Sequence, residues 1–168
     1  MVNQIKNSFG KKDHCVFEIP TPEFGILDET NKCCRIELNH QTEKFHFKVC
    51  NNGGGVVGFV PIDKCIYSDK DQFKKCDFVV FKKPHFCFVE IKDSEKRGGK
   101  RIPCAIEQLA TTIGMFKAEL DFNGFNLEAF ICFQTKPVAI EASFLTTMFV
   151  FERDNGAKLF DLNEKKFG

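Results

Sequence analysis

Asp77, Glu90 and Lys92 have the side-chain types and the spacing for phosphodiester chemistry. Asp77 opens the apolar run Phe78-Val-Val-Phe81, and Glu90 and Lys92 close the run that starts at Phe86. Lys82-Lys-Pro-His85 joins the two runs. Phosphodiester hydrolysis needs a water activated near the phosphorus and a cation to take up developing charge. Mg2+ takes oxygen ligands, commonly one or two carboxylates together with the phosphate. If the runs pair as an antiparallel hairpin, Asp77 and Glu90 come side by side across the ladder. Side chains alternate along a strand, so Glu90 and Lys92 share a face and Ile91 points into the opposite layer. The Ile91 backbone carbonyl offers a further metal ligand. Lys92 would orient or deprotonate the attacking water and offset phosphate charge. Glu-x-Lys on a strand is also an ordinary surface ion pair. Here the almost wholly apolar Phe86-Cys-Phe-Val89 precedes it, so the charges end a buried strand.

The flanking elements follow from periodicity and punctuation. Strands with few polar positions, over 77–81 and 86–91, belong in the middle of a sheet covered on both faces. A charged loop, 92–101, then leads to Pro103, which suits the first helical position. From Cys104 to Leu120 the residues Ile106, Leu109, Ile113, Phe116 and Leu120 fall near one stripe, an amphipathic helix. Gln108 lies on the flank of that stripe, beside Ala105, Thr112 and Met115. A residue contacting the sheet edge would sit there, and so would a plain helix-surface glutamine. Residues 126–133 read as a further strand, and Val16 to Ile19 as a short one stopped by Pro20 and Pro22. Alternation over 34–38 and 45–49 predicts a half-exposed hairpin. Asn51 to Gly55 is a turn with no Gly-Lys-Ser/Thr after it, so not a phosphate loop. Val56 to Val60 is a short strand. Asp154-Asn-Gly156 predicts a hairpin between 144–151 and 157–162. Strands around one strong helix give an α/β (α+β) class with a mixed sheet, a single domain with its core at about 33–135.

At 168 residues, 43% of them hydrophobic and 28% charged, the chain can bury a real core as one globular domain. No apolar run approaches the ~20 residues a membrane helix needs, and the N-terminus lacks the apolar core of a signal peptide. The nine cysteines show no C-x-x-C pair, which disfavours zinc, even around Cys33 and Cys34. Several lie in strand-like runs and read as small buried hydrophobes, which points to a reducing cytoplasm. The net charge of +1 neither demands nor excludes nucleic acid. Locally, Lys96, Arg97, Lys100 and Arg101 around Gly98-Gly99 would contact phosphates without reading bases. A solvated charge run is the other reading. No zinc finger or helix-turn-helix pattern is visible.

An acid opening one strand, Glu-x-Lys closing the next and a glutamine on the following helix resemble the PD-(D/E)xK nuclease superfamily. The matching residues are Asp77, Glu90, Lys92 and Gln108, with Ala105-Ile-Glu-Gln-Leu109 especially similar to the helix of small members. The match spans about residues 60–135. Cys76 stands where the family name expects proline. The resemblance implies a restriction-endonuclease-like sheet flanked by helices and Mg2+, or Mn2+, held by Asp77, Glu90 and Ile91. It further implies endonuclease cleavage of DNA, with RNA not excluded, in bacterial defence, restriction or recombination. Gln108 would hold the Lys92 amine or the attacking water. Members often carry another acid on their first helix, for which Glu18, Glu23 and Glu29 are all open. Asp63 is a further acid that reads first as a turn aspartate. A chain this small would need a homodimer or a partner subunit to cut both strands. The rival readings are an RNA nuclease or junction resolvase, and a non-catalytic binding module that kept the fold.

Overall fold

In a computed structural model, residues 1–10, 12–29, 32–38, 45–68, 70–92, 101–133 and 142–168 are described, 142 and 143 by backbone alone. A short helix α1 (Val2–Ser8) precedes strands β1 (Phe17–Ile19), β2 (Glu23–Leu27), β3 (Arg35–Glu37), β4 (Phe47–Asn51) and β5 (Val57–Pro61). The pair β6 (Phe78–Lys82) and β7 (His85–Lys92) follows, then α2 (Arg101–Glu119) and β8 (Asn126–Phe133). The chain closes with α3 (Ala142–Asn155), β9 (Lys158–Phe160) and β10 (Glu164–Phe167). This is a mixed α+β architecture. One six-stranded sheet runs β1-β5-β6-β7-β8-β9 and a four-stranded sheet runs β10-β4-β2-β3.

The apolar strands behave as expected. β6 and β7 pair antiparallel in the middle of the larger sheet, and β8 runs parallel to β7. Alternation sorts their side chains into two layers. Val79, Phe81, Phe86 and Phe88 pack with Leu109, Ile113 and Phe116 of α2. Phe78, Val80, Cys87 and Val89 pack with Phe24, Ile26, Phe47 and Val49 of the smaller sheet. The result is helix on sheet on sheet, filled by phenylalanine, each fully buried ring contributing about 2 kcal/mol.

Two expected hairpins are replaced. β3 and β4 do not pair with each other, because β2 lies between them and pairs antiparallel with both. β2 was hidden behind Pro20 and Pro22 and interrupted by Gly25. Glycine is needed there, since a Cβ would stand 1.9 Å from the Phe45 ring. Residues 39–44, between β3 and β4, lie outside the described ones. The predicted hairpin over 144–162 is instead α3 followed by β9, which joins β8 in parallel. Phe144, Met148 and Phe151, one helical face, join the helix-side core. Asn155-Gly156 is a helix stop: Gly156, at φ +62°, donates its N–H to the Glu152 carbonyl at 2.7 Å.

Smaller corrections concern α2 and the cysteines. α2 starts at Arg101, so Pro103 lies within its first turn, where no N–H is required. Cys15 and Cys65 are joined as a disulfide, Cα atoms 5.7 Å apart, so the expectation of reduced thiols fails at these two and with it part of the case for a reducing compartment. Among the described residues no helix is long and apolar enough to cross a membrane.

Candidate active site

The site lies where β6 begins and β7 ends. The last residues paired there are Phe78 and Val89. One step further the register sets Asp77 across from Glu90, and the Asp77 N–H donates to the Val89 carbonyl at 3.1 Å. Glu90 and Lys92 continue the face of Phe86 and Phe88, towards α2. The Lys92 amine is ion-paired with Glu90 Oε1 and donates to Gln108 Oε1 at 2.7 Å. Gln108 in turn donates from Nε2 to the Lys75 carbonyl at 2.9 Å. One turn on, Thr112 Oγ1 accepts the Cys76 N–H at 2.8 Å and donates to the Gln108 carbonyl. Thus α2 is fastened to the segment entering β6, and Gln108 contacts the sheet edge through the Lys92 amine.

The electrostatics are those of crowded, desolvated acids. Glu90 is 1% exposed. Burial first, then the charge of Asp77, pushes its carboxyl well above the usual range, and Lys92 opposes them. Asp77, partly buried, is pushed up to about 7 by burial and then by the Asp28 charge. The Ile91 N–H, donated to Asp77 Oδ2 at 2.6 Å, acts the other way. Ile91 itself points into the sheet–sheet layer, as its parity requires. Glu90 Oε2 is buried and has no partner among the described residues, a distinction shared only with Thr21 Oγ1. A buried carboxylate oxygen without a donor costs on the order of 1–3 kcal/mol or more. Adjacent like charges and an orphaned oxygen fit a hard divalent cation held by oxygens.

Asp28 is the acid that sequence reasoning missed. It follows the last residue of β2 and raises the carboxyl of Asp77, while its backbone N–H donates to His46 Nδ1 at 2.9 Å. Cys34 sits beside it, Sγ to Oδ1 at 3.8 Å, its thiol pushed up by burial and then by Asp77, Asp28 and Glu90. A signal existed. Phe24-Gly-Ile-Leu-Asp28 is an apolar run ending in an acid, the form taken at Glu90. Cys104 was also unforeseen, and its thiol donates to Gln108 Oε1 at 3.3 Å.

The three acids left open do not join the site. Glu18 is exposed on the edge strand β1. Glu23 pairs with Lys48 at 2.9 Å. Glu29 pairs with Lys32 and Arg35, which hold its carboxyl down to about 2. Asp63 is a neighbour: its N–H shares the Asp77 carbonyl and its carboxylate pairs with Lys75 at 3.3 Å. Lys96, Arg97 and Lys100 lie outside the described residues, and Arg101 opens α2. Among the described residues, the one group of three metal-ligating side chains with all ligand atoms within 4.8 Å is elsewhere, at His14, Cys15 and Cys65. The carboxylates of Asp28, Asp77 and Glu90 are thus more open than that, and Cys33 and Cys34 form no such group. Set against known proteins, the chain matches no family model, no curated protein and no solved structure.

Proposed function

We propose that this protein is a Mg2+-dependent endonuclease of the PD-(D/E)xK type with a restriction-endonuclease-like sheet, and that it hydrolyses DNA. The observation that carries this reading is Glu90: buried, with one oxygen bound to Lys92, the other unpartnered, and Asp77 beside it. A purely structural Glu-Lys pair would satisfy both oxygens or expose them.

Asp77, Glu90 and the Ile91 carbonyl would hold the cation, with Asp28 as a further acid. Bound there, the cation would polarise the phosphate and lower the pKa of a coordinated water. Lys92, held between Glu90 and Gln108, would orient that water and help it ionise through its positive charge, the proton passing to solvent. The water oxygen bonds to phosphorus as the bond to the leaving oxygen breaks. Gln108 positions Lys92. Lys96, Arg97, Lys100 and Arg101 would meet the backbone phosphates without reading sequence. Cleavage of both strands would use a homodimer or a partner subunit, and the setting would be cytoplasmic, in bacterial defence, restriction or recombination.

The test incubates plasmid, single-stranded DNA and RNA with Mg2+ or Mn2+, comparing wild type with Glu90→Ala and Lys92→Ala. Metal-dependent cleavage by wild type alone supports the reading, and the preferred polymer separates DNA from RNA. Identical behaviour of all three proteins ends it. Tight DNA binding without cleavage would instead identify a binding module.

A further inference from the structure

A second cluster of metal-ligating side chains lies away from the carboxylates. A 3-10 turn, Asp13–Cys15, places His14 and Cys15 consecutively against the 62–67 turn that carries Cys65. One ligand atom from each of His14, Cys15 and Cys65 lies within 4.8 Å of the other two. Cys15 is fully buried, Cys65 half-buried and His14 exposed. The group therefore has a rigid inner side and an open outer one. Two sulfurs and an imidazole suit a borderline-soft cation of the zinc class, and disfavour Mg2+.

We propose that His14, Cys15 and Cys65 form a redox-gated zinc site, empty while the two sulfurs are joined and filled when they are reduced. The thiolate is the ligand form of cysteine. A dithiol reductant supplies two electrons and two protons. The S–S bond breaks, two thiols form, and the reductant becomes a disulfide. A zinc ion then displaces both thiol protons and takes the two thiolates and one imidazole nitrogen of His14. Around tetrahedral zinc with bonds of ~2.3 Å the sulfurs stand about 3.8 Å apart. Side-chain rotation can provide that between Cα atoms 5.7 Å apart. Three protein ligands leave a fourth position on the exposed side, for water or an incoming group.

Reduced and oxidised full-length protein would be titrated with Zn2+ against a chromophoric chelator, with Co2+ as a spectroscopic substitute. The reduced protein should take up one tight equivalent, with a sulfur-to-cobalt charge-transfer band, and the oxidised protein none. His14→Ala removes an exposed side chain, so folding survives. Even outer-sphere partners are worth roughly tenfold in affinity, so losing this ligand should weaken zinc by at least that much. Cys65→Ser should abolish the tight equivalent, with circular dichroism reporting its fold. No tight zinc in reduced wild type, or equal affinity in wild type and His14→Ala, overturns the proposal. Equal uptake by oxidised protein does so too, since the free cysteines would then be the ligands.

Discussion

The two ends of strand β7 handle a buried glutamate in opposite ways. At the C-terminal end, on the helix-side face, Glu90 keeps one oxygen without a partner. At the N-terminal end, on the sheet-side face, His85 and Cys87 meet Glu128 of the parallel strand β8. Glu128 Oε1 is 2.7 Å from His85 Nδ1, and Oε2 takes the Lys165 amine at 2.6 Å and the Cys87 thiol at 3.4 Å. Both acids are under a tenth exposed. Each pairs with a strand-borne lysine, Glu90 with Lys92 and Glu128 with Lys165, but only Glu128 has both oxygens hydrogen-bonded. Glu90 is left short of a donor, next to a second acid. A satisfied buried charge holds two sheets in register, whereas an unsatisfied one is affordable only where a ligand completes it.

The contrast breaks most visibly if the two glutamates are neutralised separately. Glu90→Gln should lower cleavage about a thousandfold or more, since a metal ligand worth several kcal/mol is lost. It should lower metal-free thermal stability at pH 8 less than Glu128→Gln does, because the unpartnered oxygen is relieved and Lys92 keeps Gln108 as an acceptor. Glu128→Gln should do the reverse, leaving cleavage per folded molecule near wild type and lowering stability more. Cleavage assays and melting curves on both variants check this. If Glu90→Gln melts as far below wild type as Glu128→Gln and cleaves as well per folded molecule, the supposed site is only another structural pair.

Glu128→Ala should cost about 3 kcal/mol in chemical denaturation, because Lys165, with its side chain 12% exposed, would lose its counter-charge. A cost below about 1 kcal/mol would mean that Lys165 swings into water and the cluster contributes little.

How far this contrast could be read from sequence depends on where each partner comes from. Glu90, Lys92 and Asp77 are joined by a tight hairpin, so strand parity and one turn suffice to bring them together. Gln108 needed only the helical period. Glu128 sat in an equally apolar run, yet its partners lie 43 residues before it and 37 after it, on β7 and β10. Strand β10, Glu-Lys-Lys-Phe, has no apolar signature of its own and pairs only because β4 offers an edge. Asp28 was harder to read for the same reason: its run ends in an acid as that of Glu90 does, but β2 forms as a strand only between β3 and β4. The misread helix α3 shows the complementary limit. Asn-Gly ends helices as readily as it turns hairpins, and only the long-range packing of Phe144 and Phe151 decides between them.

Acidity separates the two ends in a second way. The folded-state carboxyl of Asp77 is raised from 3.8 to about 7. The native state therefore binds more protons than the unfolded chain between those values. Its contribution to stability is fully present below about pH 4 and is lost as pH rises through about 7. A shift of about 3 units corresponds to at most about 4 kcal/mol, and partial exposure of Asp77 should reduce this to roughly half. Glu90 acts in the same direction. Metal-free protein should therefore melt lower at pH 8 than at pH 5, Asp77→Asn should flatten that slope, and Mg2+ should restore stability at pH 8. A slope unchanged by Asp77→Asn would place the titrating group elsewhere.

The smallest effect sharpens the role of the helix. Gln108 bridges Lys92 to the Lys75 carbonyl, so in the proposed reaction it would position the amine without touching the phosphate. Gln108→Ala leaves Lys92 paired with Glu90 alone, free to rotate about that one contact. Cleavage should fall by about tenfold, a loss of roughly 1.4 kcal/mol in the barrier, through kcat with KM unchanged. Gln108→Glu supplies an acceptor at the same place and should recover part of the rate at low Mg2+, while adding a third acid beside Glu90. If Gln108→Ala instead raises KM for DNA with kcat intact, the helix contacts substrate directly and Lys92 is positioned by Glu90 alone.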